Sequence, residues 1–261
     1  LRRFWAIFVV ILCFLIITGG NFYWNHKVSR AQVTGVQKVS DTQQDGGFEQ
    51  SVSSGKSIRD HIARLPKPVQ KAANRALRTS GQVQVVMVGS ENVQGLAIRL
   101  QNQLDKTFGE MFFKVTANDL GKETSLDLNQ AKIQDLFQKV NGKPDVIIYT
   151  PLLYNDDHRV STDDTNSVIS LFEEKISLKY PDAAFFVSPP DYSSQEDYIN
   201  QRIDDLIHYT DKQGITELDY LSRWPKGKER IQVVGADGYT MNQAGQKIWT
   251  DYISKKWGLA K

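Results

Sequence analysis

One stretch limits what this chain can fold into more than any other: Gln82 to Gly95, reading QVQVVMVGSENVQG. Val83, Val85, Val86, Met87 and Val88 form a β-branched-rich run that lacks the alternation of a half-exposed strand. Such runs belong to parallel strands covered by helices on both faces. Gly89 and Ser90 break the run, and from Gly95 a helix-period pattern begins with Leu96, Ile98, Leu100 and Leu104. A strand that ends in a glycine turn and feeds a helix places that turn at the carboxyl edge of a sheet, where open α/β folds bind their ligands.

The remainder repeats the theme. Strands are predicted over Met111–Thr116, Asp145–Thr150 and Ala183–Ser188, with a short one through Leu218. Helices are predicted over Gly95–Phe108, Leu128–Val140, Thr165–Tyr180, Gln195–Gln213 and Asn242–Trp257. Strands separated by helices of this length predict a three-layer α/β/α sandwich with a mostly parallel sheet. Ahead of it, Ile58–Leu65 and Val69–Leu77 read as a helical appendage over residues 57–80, parted by Pro66 and Pro68.

The amino-terminal end has another character. Arg2-Arg3 precede an apolar run, Phe4 to Ile17, with Trp5 at the near end and Phe22, Tyr23 and Trp24 at the far end. An apolar run of about 20 residues with interfacial aromatics spans a bilayer. Residues 1–24 are therefore expected to be one transmembrane helix with a cytoplasmic N-terminus, leaving the C-terminal domain extracellular. A cleaved signal peptide is the competing reading, but bulky Asn21-Phe22-Tyr23-Trp24 offers no small-x-small cleavage site. Residues 25–56, rich in Ser, Gln, Gly, Val and Thr, read as a tether. The domain proper is expected over 81–261.

Lys and Arg total 32 against 30 Asp and Glu, so no basic face argues for nucleic acid. Cys13, the single cysteine, lies in the apolar run. A Cys-free ectodomain suits an exported protein that does without disulfides, as many Gram-positive surface proteins do. No zinc-ligand spacing, phosphate loop or dinucleotide fingerprint is present, so neither metal nor cofactor is expected.

Across Gln82 to Lys261 the order of blocks resembles the SGNH/GDSL hydrolase superfamily. Gly89-Ser90-Glu91-Asn92 stands where that family writes Gly-Asp-Ser-Leu, and Asn118-Asp119-Leu120-Gly121 corresponds to its glycine block. Leu153-Tyr154-Asn155-Asp156 corresponds to Gly-x-Asn-Asp, and Asp237 to Asn242 corresponds to Asp-x-x-His-Pro-Asn. The segment Tyr154 to Thr165 looks like a membrane-anchored Firmicute subgroup with degenerate blocks. The resemblance implies a flavodoxin-like fold, a serine nucleophile activated by histidine and aspartate, and an oxyanion held by backbone and asparagine donors.

Mapped by position, Asp237, Gly121 and Asn155 remain, while the nucleophile position is Glu91 and the base position is Thr240. Threonine cannot take up a proton near neutral pH. Two functions are therefore expected from this resemblance. One is a catalytically impaired pseudoenzyme binding an envelope glycan, acylated ligand or partner protein. The other is an active esterase or acyltransferase on envelope carbohydrate or lipid esters through Ser90, with His158 as a base. A serine beside a strand-end glycine is also an ordinary turn or capping residue. Asp156-Asp157 and Asp163-Asp164 suggest a cation site, against which Asp164 and Thr165 are better placed to cap the following helix.

Overall fold

The computed structural model describes residues 57–259. The expected membrane helix and tether lie outside these residues. Among the described residues, no helix is long and apolar enough to cross a membrane.

A helical stretch at 57–62 (α1) leads into α2 (Lys67–Thr79), β1 (Val83–Gly89), α3 (Val93–Phe108) and β2 (Phe113–Asp119). Two short helices follow, α4 (Ser125–Gln130) and α5 (Ile133–Leu136), then β3 (Val146–Tyr149) and α6 (Thr162–Lys179). The chain closes with β4 (Ala184–Val187), α7 (Asp197–Gln213), two 3-10 turns (Leu221–Arg223 and Gly227–Gln232) and α8 (Gln243–Lys256). The four strands pair in the order β2-β1-β3-β4, every pair parallel. The strand order reverses beside β1, so the crevice outside the carboxyl ends of β1 and β3 is the switch point of the sheet.

The valine run accounts for the centre. β1 is buried at all seven positions, which requires cover on both faces. Helix α3 packs on β1, β2 and α8, while α6 packs on α4, α5 and α7. Helix α2 sets Val69, Ala72, Ala73 and Ala76 into the same core, the i, i+3, i+4, i+7 stripe of a helix with one apolar face. Each fully buried Val or Leu side chain contributes about 1.5–3 kcal/mol of transfer free energy.

Four expectations need correction. The second strand starts later and runs longer, because Met111 sits in a left-handed turn at φ 78° and the ladder with β1 continues to Gly89 opposite Asp119. The helix expected over Leu128–Val140 is two short ones. A capping box between Thr124 and Asp127 starts the first early, and Ala131 and Lys132 turn extended after it. The long helix begins at Thr162, because the Ser161 hydroxyl caps it by accepting from the Asp164 amide at 3.1 Å. Asp163 and Asp164 then lie in the first turn, where the helix dipole favours negative charge. The short strand near Leu218 reduces to a single parallel bridge, Val187 with Glu217.

The amino edge of the sheet is fastened by charge. Arg75 on α2 pairs with Asp145, just before β3, and Lys71 pairs with Asp182, just before β4, at 2.7 Å. His61 meets Phe108, the last residue of α3, edge-on at 5.9 Å between ring centroids. A Cβ on Gly258 would stand 2.6 Å from the Arg64 Cβ. Residues 61–64 thus lie where the helices end and the strands begin, at the pole opposite the carboxyl edge.

Candidate functional site

At the carboxyl edge, loops after β1, β3 and β4 and the start of α8 surround a small cavity. Ser90, Glu91 and Asn92 line it from the first turn, and Thr150, Pro151 and Tyr154 from the segment after β3. Val93 and Leu96 of α3, Ser188 to Asp191, Tyr220 and Met241 complete the wall. Its volume is ≈ 20 Å³, room for about one water.

The first turn is built by the ladder. Gly89 O accepts from the Leu120 amide at 2.8 Å, and Val88 O accepts from the Thr150 amide at 2.8 Å. Any side chain at Gly89 would press on Thr150, 3.1 Å from its Cβ. Ser90 neither caps α3 nor meets a histidine: its hydroxyl donates to Glu91 Oε2. Burial raises the Glu91 carboxyl above its usual range, and Asp119 and Asp237 add to this against the bond from Ser90.

The two expected oxyanion donors are both engaged. The Gly121 amide donates to Asp119 Oδ1 at 2.8 Å. Asn155 Nδ2 donates to the carbonyls of Gly121 at 2.8 Å and Glu123 at 2.7 Å. A carboxylate therefore occupies the Gly121 amide, the donor that the family pattern assigns to an ester oxyanion.

The last block is also closed on itself. Asp237 Oδ1 accepts from the amides of Tyr239 at 3.1 Å and Thr240 at 2.9 Å. Partial burial pushes Asp237 up, but these bonds, with one from the Thr240 hydroxyl, outweigh it and hold the carboxyl below its usual range. Thr240, at the position where the family pattern places a base, serves the turn.

Residues that sequence reasoning passed over complete the site. Asp191 is 1 % exposed. Its Oδ1 accepts from Asn92 Nδ2 at 3.0 Å, and its Oδ2 has no hydrogen-bond partner. Burial holds its carboxyl well above the ordinary range, with Asp237 and Glu91 adding to the effect. The backbone carbonyl of Asp191 accepts from the Tyr154 hydroxyl at 2.6 Å. The Tyr154 ring stacks on Tyr239 at 4.5 Å and 20°. Asn92 Oδ1 meanwhile accepts from the Met241 amide at 2.9 Å. The signal for Asp191 was available: Pro189-Pro190 ends β4, so the next residue has to lie on the carboxyl edge.

The three histidines among the described residues stand apart from this cavity. His158 is exposed in a left-handed turn at φ 55° and lies 3.4 Å from Asp157. His208 is exposed on α7, and His61 packs on Phe108. Asp156 is fully buried and structural, accepting from the Ser125 amide and hydroxyl and from the Thr165 hydroxyl at 2.6–2.8 Å. Asp157 lies 3.9 Å from Arg202. Among the described residues, no group of three or more His, Cys, Asp or Glu side chains is placed to hold a metal ion.

No protein-family model and no curated protein matches the chain. Solved structures do. A lipase/acylhydrolase from Enterococcus faecalis aligns at 15% identity and TM-score 0.53, covering 69% of this chain and 98% of its own. A carbohydrate esterase family 3 protein from Talaromyces cellulolyticus aligns at 15% identity and TM-score 0.54, covering 67% and 96%. A protein described as a GDSL-like lipase from Parabacteroides merdae aligns at 11% identity and TM-score 0.55, covering 68% and 96%. These likenesses establish a shared fold, that of the SGNH/GDSL hydrolases, as the order of the sequence blocks leads one to expect.

Proposed function

We propose that this SGNH-fold chain is a membrane-anchored, extracytoplasmic protein of a cell envelope whose cleft binds a ligand and does not hydrolyse esters by the serine–histidine route. One observation carries the reading: the Gly121 amide donates to Asp119. Oxyanion stabilisation needs preorganised donors aimed at developing negative charge, and one such donor is worth about 10²–10³ in rate. Here the donor faces a carboxylate, and Glu91 and Asp237 add like charge nearby. Among the described residues no histidine lines the cavity, which supports the same conclusion. The apolar run at Phe4–Ile17 behind Arg2-Arg3 supports the anchor.

The hydrogen bond from Ser90 to Glu91 favours a second reading, an esterase or acyltransferase in which a carboxylate of raised pKa activates Ser90. Labelling of the purified full chain with a fluorophosphonate probe, together with turnover of p-nitrophenyl acetate, decides between them. The binding reading expects neither labelling nor turnover above the Ser90→Ala variant. Burst release that disappears in Ser90→Ala overturns it.

A further inference from the structure

We infer that the cavity takes the primary ammonium group of a ligand, with Asp191 Oδ2 as its buried acceptor; this rests on the cleft being a binding site. Asp191 is almost wholly buried, lines the cavity and leaves one carboxylate oxygen without a partner. An unmatched buried acceptor of this kind costs about 1–3 kcal/mol unless a donor fills the space. The donor must be small, because the cavity of ≈ 20 Å³ holds a single water-sized group. An ammonium head is of that size and is a three-fold donor; a trimethylammonium head is not.

The surroundings select for charge. Glu91, Asp119 and Asp237 lie near enough for Glu91 to feel both of the others, and Asp191 feels Glu91 and Asp237. The amino end of α3 opposes a cation with about half an elementary charge, and Asp237, whose carboxyl is held below its usual range, outweighs it. Tyr154, on the wall, stacks with Tyr239 and offers aromatic surface to a cation. Among the described residues the carboxylates do not converge on one point as metal ligands would, which favours an organic ammonium whose remainder lies outside the cavity.

Isothermal titration of the full chain with ethanolammonium chloride, choline chloride and ethylene glycol tests this. The expected result is saturable binding of ethanolammonium, weaker by about tenfold or more for choline and for ethylene glycol. Asp191→Asn keeps the acceptor for Asn92 and is expected to lose binding by about tenfold or more, with its fold verified by circular dichroism. Glu91→Gln, on the exposed side, is expected to weaken binding less, and Asp251→Asn on the far part of α8 not at all. Absence of saturation below about 0.1 M, equal binding of choline or ethylene glycol, or unchanged binding in Asp191→Asn overturns the inference. Ester turnover in the same preparation bears on the non-hydrolytic reading alone, so the two can fail separately.

Discussion

Asn92 donates through Nδ2 to Oδ1 of Asp191 at 3.0 Å, joining residues 99 positions apart. The other end of the same carboxamide accepts from the Met241 amide. Asn92 occupies the cap position of α3 yet makes no side-chain capping bond; its amide ties the first turn to the loop after β4 and to the start of α8. Asn92→Ala is expected to lower unfolding free energy by about 2 kcal/mol, since it removes two hydrogen bonds, one to a carboxyl group. Denaturant titration reads this as a lower midpoint at unchanged slope.

Burial of Asp191 gives stability a pH dependence with a definite sign. The unfolded chain releases this proton near 3.8, while the folded chain holds it to higher pH. Over that interval the folded state binds more protons, so stability falls as pH rises. Asp191→Asn removes the loss without removing the acceptor for Asn92. Its Tm is expected to approach that of the native chain near pH 3 and to exceed it by a growing margin from about pH 4 upward. A constant gap across that range would count against the buried-acid description.

Asp156 holds three donors with one carboxylate, two of them from Ser125 and one from Thr165. From the loop after β3 it joins the starts of α4 and α6. Asp156→Ala leaves these groups buried without an acceptor and is expected to cost about 3 kcal/mol or more. Thermal unfolding followed by far-UV circular dichroism measures it, and Asp163→Ala, on an exposed helix start, is the mild comparison.

Placing the residues of the SGNH/GDSL pattern at the corresponding positions is not expected to produce that pattern's chemistry fully. Glu91→Ser with Thr240→His supplies the serine and histidine that the pattern places at these positions, yet the Gly121 amide still faces Asp119. Adding Asp119→Ala to that pair is expected to raise the rate of fluorophosphonate labelling by about 10²-fold, the usual worth of one oxyanion donor. Equal rates in the double and triple variants would show that the amide is not limiting.

The fold was legible in the sequence where one local rule acted alone. The valine run from Val83 to Val88 could only be a strand covered on both faces, and Pro189-Pro190 had to stop β4. Boundaries moved where a non-local partner or a capping side chain intervened. The ladder with β1 carries β2 on to Asp119, and Thr124 with Asp127 starts α4 ahead of the apolar pattern. The departures from the SGNH/GDSL pattern at Glu91 and Thr240 are visible as letters. Their consequence is not, because it depends on where Gly121, Asn155 and Asp237 turn their hydrogen bonds. The place of Asp191 on the carboxyl edge is legible from Pro189-Pro190, but its burial is not, because it depends on the packing of Asn92, Tyr154 and Tyr220 around it.

The pairs Arg75–Asp145 and Lys71–Asp182 lie at the amino edge of the sheet, so the chain enters the domain at one pole and the cleft opens at the other. Residues 61–64 and the cavity thus stand at opposite ends of the strands. A spectroscopic label on Arg64 reports on the amino pole alone, and one on Tyr239 reports on the cavity pole, so the two ends of the sheet can be followed independently in one molecule.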